Sequence, residues 1–149
     1  MKLLITGGNG FIGANLIIKI IKEHKDYKIL NLDCDTYASN IKSLGFLNNY
    51  KNYRRSKIDI CNFKPLKKEF NSFGPDVVLN LAAETHVDNS IKNPKSFINT
   101  NILGTHNLLE ISKNYHNKVK KKFLFIQIST DEVYGDLGKK KNNLQKILL

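Results

Sequence analysis

Residues 2–13 read KLLITGGNGFIG and carry the clearest structural signal in the chain. The apolar run at 2–6 predicts a buried strand, and residues 11–22 place apolar side chains on one broad helical face. Between them, Gly7, Gly10 and Gly13 have G-x-x-G-x-x-G spacing. Glycine is required where a turn is tight, where a diphosphate approaches the backbone, and where a helix packs closely on a strand. The stretch therefore predicts a dinucleotide cradle, with the helix N-terminus facing the phosphates.

A carboxylate ends the second predicted strand. Residues 29–33 read ILNLD, which places Asp33 twenty positions after Gly13. A carboxylate at this point accepts hydrogen bonds from a ribose diol and repels a 2′-phosphate. The sequence therefore predicts NAD rather than NADP as the cofactor. The alternative is an acidic side chain that faces water at the end of a strand.

Strands and helices continue to alternate along the chain. Further strands are predicted at 53–59, 76–82 and 123–128, with a helix at 64–73 between the first two. A long helix is expected to begin near Pro94, because proline suits a first helical turn. Near-continuous apolar strands separated by helices indicate a parallel sheet covered on both faces. We therefore expect an α/β fold with a doubly wound parallel sheet (a Rossmann-type NAD-binding domain), truncated after about five strands.

Composition describes an ordinary protein of one domain. The 149 residues are 41% hydrophobic, and no apolar run approaches the roughly 18 residues that a membrane-spanning helix needs. The first residues lack the apolar region and cleavage site of a secretory signal, so a cytoplasmic location is expected. Cys34 and Cys61 match no metal spacing and suggest no disulfide framework. We expect two reduced, unreactive thiols and no bound metal.

The formal net charge of +11 raises the question of a nucleic-acid partner. However, the basic residues are nearly all lysines spread along the chain, and only 120–122 and 139–141 form runs. The two arginines, Arg54 and Arg55, are accompanied by no recognition-helix or RNA-binding pattern. A solvated lysine surface is the expected reason for the charge, with neither nucleic acid nor membrane as a partner.

Three further stretches resemble one enzyme family. Residues 31–40 (NLDCDTYASN) are similar to a D-x-x-T-Y-A-x-N segment, residues 81–91 (LAAETHVDNSI) to LAAESHVDRSI, and residues 129–137 (STDEVYGDL) carry a Thr-Asp-Glu signature. Together with the glycine turn, they resemble the extended short-chain dehydrogenase/reductase family over residues 1–138. Within that family the adjacent Asp131 and Glu132 are most similar to the dTDP-glucose 4,6-dehydratases. Epimerases usually carry small residues there, and sugar-acid decarboxylases and mannose dehydratases carry serine at position 131.

The resemblance implies a set of cofactor contacts. The diphosphate would be held by Gly7, Gly10, Phe11, Ile12 and Gly13, and the adenosine ribose by Asp33, Cys34, Asp35 and Thr36. Asp59 and Ile60 would hold the adenine. The nicotinamide half would be held by Leu81, Ala82, Ala83, Glu84, Thr85 and Thr100. For the apolar members of this set, a place in the core is the alternative.

The implied reaction oxidises C4 of a nucleotide-activated glucose, eliminates water across C5 and C6, and reduces C6. By the resemblance Glu132 is the base for the C5 proton, Asp131 is the acid for the C6 hydroxyl, and Thr130 holds the C4 oxygen. Thr85 would touch the substrate as well. Two adjacent carboxylates suit this chemistry only if one is protonated and the other ionised. His86 is expected to be structural, although its type suits acid–base work.

The residues that oxidise C4 in this family are not found here. The family uses a tyrosine and a lysine four positions apart on a helix, after the Thr-Asp-Glu segment. In this chain only Tyr53 and Lys57 have that spacing, and they lie in a predicted strand, where the two side chains do not stack as they would on a helix. Two classes of function stay open: a dehydratase fragment without activity of its own, or a non-enzymatic NAD-binding half-domain. A related epimerase or dehydratase is the further alternative.

The resemblance also divides the chain. Residues 1–138 are expected to form the NAD-binding domain, incomplete at its end, and residues 139–149 a non-homologous tail without the substrate domain. Full-length members of the family are homodimers. Because the similarity stops at a lysine–asparagine run whose codons can form an adenine tract, we expect a reading-frame shift after Gly138.

Overall fold

Five parallel strands form the sheet in the computed structural model, which describes residues 1–130 and Val133. The strands are β1 (Lys2–Thr6), β2 (Lys28–Asp33), β3 (Tyr53–Lys57), β4 (Val77–Asn80) and β5 (Leu124–Gln127). Their order in the sheet is β3-β2-β1-β4-β5. The chain therefore winds outward from β1 in one direction and then in the other. This confirms the doubly wound α/β fold predicted from the sequence.

Helices connect the strands and cover both faces of the sheet. They are α1 (Phe11–Glu23), α2 (Phe63–Phe73), α3 (Val87–Lys92), α4 (Pro94–Phe97) and α5 (Thr105–Lys118), with a 3₁₀ helix at Ile41–Asn49 and a π-helical segment at Ile98–Gly104. The segment joins α4 directly to α5, so the long helix predicted to begin near Pro94 is present. Gly104 lies where this helix passes close to the segment after β3, since a Cβ there would come within 2.5 Å of Ile60.

The central strand β1 sends alternate side chains to opposite faces, because successive residues of a strand point in opposite directions. Leu3 and Ile5 pack with Ile17 of α1 and Leu44 of the 3₁₀ helix. Leu4 packs on the other face, against α2 and α5. Two buried cores thus fix the sheet between two helical layers. Because the strands are parallel, their carboxyl ends lie on the same side of the sheet.

β5 is less covered than the other strands. Its register places Leu124 beside Val77 and Ile126 beside Leu79. These side chains lie on the same face of the sheet as α1, which packs against the central strands. Leu124 is 49% exposed, whereas Leu4 and Leu30 are fully buried. The sheet is therefore tightly packed around β1 and β2 and open at β5.

Several boundaries differ from the sequence prediction. β3 ends at Lys57 rather than 59, and β4 is limited to Val77–Asn80 rather than 76–82. In both cases the strand stops where its carboxyl end opens into the cleft described below, so the following backbone leaves the ladder. The 3₁₀ helix and α3 were not predicted, because neither stretch has a clear apolar period.

Candidate functional site

The carboxyl ends of the parallel strands form a cleft at the switch point of the sheet. In the sheet, β1 lies between β2 and β4. The chain moves from β1 to β2 and β3 on one side, and then crosses to β4 and β5 on the other side. In open α/β sheets, ligands bind in the crevice that this arrangement creates. The turn after β1, Asp33 at the end of β2, and Leu81 after β4 all meet there.

The turn after β1 approaches the end of β4 so closely that it has no room for side chains. Gly7 has φ of +68°, which favours glycine, and a Cβ on it would lie 2.7 Å from the backbone nitrogen of Ala82. A Cβ on Gly13 would lie 2.4 Å from the carbonyl oxygen of Gly7. This shape leaves bare backbone at the start of α1, which is what a dinucleotide diphosphate needs.

Asp33 ties the loops of the cleft together. Its carboxylate accepts hydrogen bonds from the backbone N–H of Asn9 (2.8 Å), the backbone N–H of Asp35 (2.9 Å) and the hydroxyl of Ser39 (2.8 Å). Only 6% of Asp33 is exposed. The predicted ribose ligand therefore also holds the glycine turn against the loop after β2.

Asn9 is the partner that completes this arrangement. Its side-chain amide donates to Asp35 (2.8 Å), its side-chain oxygen accepts from Asn31 (2.9 Å), and its backbone oxygen accepts from the N–H of Asn40 (2.8 Å). The residue is fully buried. A buried polar side chain satisfied in this way fixes the turn rather than contacting a ligand.

A cavity at the switch point collects most of the predicted cofactor residues. It is lined by Gly7, Gly10, Leu32, Asp33, Cys34, Thr36, Ala38, Ser39, Ile58, Asp59, Ile60, Leu81, Ala82, Ala83, Glu84 and Thr100. Phe11, Ile12, Gly13, Asp35 and Thr85 do not line it. Phe11 and Ile12 are exposed at the first turn of α1, 85% and 65% respectively. Gly13 packs against Gly7 and Gly8, and the Asp35 carboxylate pairs with Arg55.

Sequence reasoning did not single out four of the lining residues. Leu32 and Ile58 lie at the ends of β2 and β3, while Ala38 and Ser39 belong to the loop after β2. The strand-end position of Leu32 and Ile58 was the only signal available for them. For Ser39, the signal was its place in the segment similar to D-x-x-T-Y-A-x-N.

A second cavity of about 400 Å³ adjoins the first at the ends of β4 and β5. Thr85 and Thr130, the two predicted substrate residues, both line it, together with Ser129 and Gln127. Asp131 and Glu132, the predicted acid and base, lie outside the described residues. The structure thus brings Thr85 and Thr130 to one cavity, next to the one that holds the cofactor residues.

A row of polar side chains connects β1, β4 and β5 beneath this cavity. The hydroxyl of Thr6 hydrogen bonds to Asn80, and Asn80 in turn donates to Gln127 (2.8 Å). Thr6 also accepts from the backbone N–H of Ala82 (3.3 Å). These bonds fix the register of the strand ends, so the backbone at 81–83 keeps its place in the floor of the cleft.

The loop after β4 is held by amide pairing with the π-helical segment. The backbone N–H of Glu84 donates to the side chain of Asn101 (2.8 Å), whose amide donates back to the carbonyl of Glu84 (2.9 Å). The ring of His86 lies 5.7 Å from that of Tyr37, whose hydroxyl donates to Glu84 (3.2 Å). His86 thus packs against Tyr37 in the loop that follows β2.

The two cysteines are free thiols, and Cys34 lines the first cavity. Burial, with Asp59 and Asp33 nearby, raises the pKa of the Cys34 thiol. Burial and the hydrogen bond to Asp59 raise the pKa of Cys61 to about 11. Its thiol donates to the carbonyl oxygen of Asn99, 3.2 Å away in the π-helical segment. Both thiols are therefore protonated at neutral pH, and thiols in that form are weak nucleophiles.

Within the described part of the chain, no group of three or more histidine, cysteine or acidic side chains could hold a metal ion. Among the helices of residues 1–130, none is both long and apolar enough to span a bilayer.

Comparison with known proteins agrees with this geometry. Residues 4–146 match the family described as GDP-mannose 4,6 dehydratase. The chain belongs to this family. The family resemblance inferred from the glycine turn and the Thr-Asp-Glu segment is thereby confirmed.

Individual relatives narrow the match. A protein of Haemophilus influenzae named dTDP-glucose 4,6-dehydratase is 46% identical over 142 residues, covering 93% of this chain and 42% of the relative. The crystal structure of DesIV, a dTDP-glucose 4,6-dehydratase from Streptomyces venezuelae with NAD bound, matches with a TM-score of 0.81 at 33% identity, covering 94% of this chain and 42% of that one.

The fold is shared with an enzyme of a different reaction. A UDP-glucose 4-epimerase structure from Thermotoga maritima matches with a TM-score of 0.72 at 32% identity, over 87% of this chain and 38% of the other. The chain spans about two fifths of the length of the dehydratases it matches. Fold alone therefore does not select the reaction within the family.

Proposed function

We propose that this chain is the NAD-binding part of an enzyme that dehydrates dTDP-glucose to dTDP-4-keto-6-deoxyglucose. The observation that carries the proposal is the cavity at the switch point, which joins the bare glycine turn, Asp33 and the stretch after β4. The identity to proteins named dTDP-glucose 4,6-dehydratase supports the choice of substrate.

The residues of the cleft fit a dinucleotide. The turn at Gly7 and the start of α1 would hold the diphosphate, because a Cβ at Gly7 or Gly13 would fill the space the backbone leaves. Asp33 would accept from the adenosine ribose, and Leu81 to Thr85 with Thr100 would flank the nicotinamide half. When bound, NAD supplies the hydride acceptor for sugar oxidation.

The reacting end is assigned by family resemblance. Thr130, which lines the second cavity beside Thr85, would hold the sugar oxygen at C4. Asp131 would donate a proton to the C6 hydroxyl and Glu132 would remove the C5 proton. Their adjacency in the sequence supports this assignment, since two neighbouring side chains can reach different atoms of one sugar.

Cofactor binding tests the proposal directly. Calorimetric titration of the purified chain with NAD and with NADP is expected to show tighter binding of NAD. A Gly13→Val variant should abolish binding, because its side chain meets the carbonyl of Gly7, whereas Gly45→Ala should not, because nothing lies within 4 Å of its Cβ. Absence of NAD binding by the unchanged chain would contradict the proposal.

Turnover separates the enzymatic and non-enzymatic alternatives. On dTDP-glucose these 149 residues alone are expected to give no 4-keto-6-deoxy product, because they hold no helical tyrosine–lysine pair to deprotonate the C4 hydroxyl. Mass spectrometry would detect the loss of one water from the sugar. Product formed by the chain alone, and abolished by Glu132→Gln, would show that another base replaces the tyrosine.

The second candidate is a non-enzymatic NAD-binding half-domain. The self-contained hydrogen bonding of Asp33 and Asn9 favours it, since the adenosine end is held by residues of this chain alone. Ligand-observed NMR can measure the binding of each ligand. Binding of NAD without any binding of dTDP-glucose would support the non-enzymatic half-domain. Binding of both ligands would support the dehydratase assignment, and binding of UDP-glucose in preference would support the epimerase alternative.

Self-association and location complete the proposal. Ile98, Ile102 and Leu109 are exposed along the helix from α4 to α5. Apolar side chains on one helix suit contact with a second copy, as in the full-length homodimers of the family. Light scattering should then report a dimer that Ile102→Lys disrupts; a monomer at high concentration would oppose it. Two free thiols suit a reducing compartment, and we infer a cytoplasmic location.

A further inference from the structure

Asp35 has an unusual backbone conformation directly behind the cofactor cavity. Its φ of 60° makes it the one non-glycine residue with positive φ among those the structure describes. Aspartate and asparagine tolerate this left-handed region better than most residues, because their short side chains bond to nearby groups. The Asp35 carboxylate does not line the cavity and pairs with Arg55 of β3.

Two cations of β3 meet this carboxylate. A guanidinium nitrogen of Arg55 donates to Asp35 Oδ2, and Lys57 Nζ lies 3.9 Å from the same oxygen. The Asp35 side chain is 9% exposed, compared with 27% for Arg55 and 69% for Lys57. Burial raises the pKa of Asp35, but the hydrogen bond and charge of Arg55, with Asn9 and Lys57, hold it below its ordinary value. The carboxylate is thus ionised at neutral pH and balances positive charge.

These charges lie beside the proposed ribose site. In the β2–β3 register Lys57 is the direct partner of Asp33 and Arg55 that of Asn31. The backbone N–H of Asp35 donates to the carboxylate of Asp33 (2.9 Å). Arg55 Nε is buried without a hydrogen-bond partner among the described residues, so this guanidinium is not fully satisfied. Positive charge for a second anion is therefore present at the ribose end, but Asp35 already pairs with it.

We propose that Asp35 is a counter-ion that determines cofactor choice, because it withholds Arg55 and Lys57 from the 2′-phosphate of NADP. This role rests on the proposed NAD binding and is separate from that of Asp33. Asp33 faces the cavity and would meet the ribose itself. Asp35 acts from behind, by cancelling the two charges that would otherwise attract a phosphate on that ribose.

The test is the ratio of NADP to NAD affinity in Asp35→Asn, measured by calorimetry. Asparagine suits positive φ, and its side-chain oxygen can still accept from Asn9, so the substitution removes little besides the charge. We expect NADP affinity to rise roughly fivefold relative to NAD, which is the effect of one partly exposed ion pair. Replacing both cations in that background, with Arg55→Met and Lys57→Met, should remove the gain.

Asp76→Asn is the matched control. Asp76 also pairs with a lysine, Lys121 at 2.5 Å, but it precedes the amino end of β4, whereas the cleft lies at the carboxyl ends of the strands. Its substitution should leave the ratio unchanged. Asp35→Gly, which also suits positive φ, provides a second charge-free variant should Asp35→Asn fail to give the native circular dichroism spectrum.

The outcomes separate the two claims. If the unchanged chain binds neither cofactor, the proposed function fails and the role of Asp35 fails with it. If the chain binds NAD but neither charge-free variant gains NADP affinity, the counter-ion role is overturned and NAD binding stands. A gain that persists after removal of both cations, or one equalled by Asp76→Asn, also overturns it.

Discussion

The two ends of the cleft are built differently. At the end proposed to hold adenosine, Asn9 and Asp33 are buried and hydrogen bonded to one another and to the loop after β2. At the end proposed to hold the sugar, Ile128 and Thr130 are exposed beyond β5, a strand whose apolar face is only partly covered. Among the described residues, the first end is thus the more buried of the two.

Under the proposed function, this difference predicts that cofactor binding and reaction chemistry are separable in this fold. A preorganised adenosine site loses little conformational freedom on binding, so its affinity does not depend on the other end. Catalysis needs reacting groups held in a fixed geometry, and an open strand end does not supply that by itself. Substitutions at the two ends should therefore differ in their effect on stability and on binding.

The largest effect is expected where the two ends meet. Gly7→Val should lower the free energy of unfolding by about 4 kcal/mol, because it combines a strained positive φ with overlap on the backbone of Ala82. Urea denaturation followed by circular dichroism would measure it. Gly45→Ala, with open space around its Cβ, should change stability by less than about 0.5 kcal/mol. Equal effects of the two substitutions would refute the close approach of the turn to β4.

A smaller effect compares core packing on the two sides. Leu30→Ala in β2 removes a fully buried side chain and should cost about 3 kcal/mol of unfolding free energy. Leu124→Ala in β5 removes one that is 49% exposed and should cost less than about 1 kcal/mol. The same denaturation experiment compares them. Similar losses would mean that β5 is as well covered as β2.

The next effect concerns ligand affinity at the adenosine end. Asp33→Ala removes the acceptor for the N–H groups of Asn9 and Asp35 as well as for the ribose. NAD affinity should fall about tenfold or more, because buried donors lose their partner, and the preference over NADP should narrow. Calorimetry with both cofactors tests this. An unchanged preference would remove Asp33 from the set of selectivity residues.

The smallest effect is a pH dependence of stability from the ion pair between Asp76, before β4, and Lys121, before β5. The hydrogen bond from Lys121 is the main reason that the pKa of Asp76 is lowered. A lowered folded-state pKa stabilises the protein above the unfolded value near 4, and this contribution is lost as pH falls through the folded pKa. Asp76→Asn should thus cost under about 1 kcal/mol at pH 7, and the cost should shrink as the pH falls below about 4. Urea titrations at neutral and at acidic pH would show it; an equal cost at both would exclude a charge effect.

The sequence predicted the strands and the glycine turn because their signals are local. An apolar run, a glycine pattern and an amphipathic stretch follow one another within residues 2–22, and each agrees with the next. The carboxylate at Asp33 was found in the same way, from its position at a strand end. Family resemblance added the residues after β4, such as Ala83 and Glu84, which have no local signal.

Other features could not be predicted because they depend on pairing between distant residues. Nothing in the sequence near Asn9 indicates that its amide bonds to Asp35, or that Asp35 pairs with Arg55 on the next strand. Those contacts follow from the register of β2 with β3, which a sequence pattern does not give. The 3₁₀ helix at Ile41–Asn49 was likewise missed, since such segments lack the period that identifies an α-helix.

The π-helical segment Ile98–Gly104 makes chain length itself part of the cleft. A π-helical turn holds more residues than an α-helical one, so the segment accommodates extra chain between α4 and α5. Deleting one residue between Thr100 and Gly104 would let the segment wind as an α-helix, and the lost residue would be the one that the wide turn takes up, so Thr100 would keep nearly its present orientation relative to α5. The same deletion within α5 would have no wide turn to absorb it and would rotate the residues before it by about 100° relative to those after it. The segment is therefore a place where the length of this helix can change by one residue while the lining of the cleft keeps its orientation.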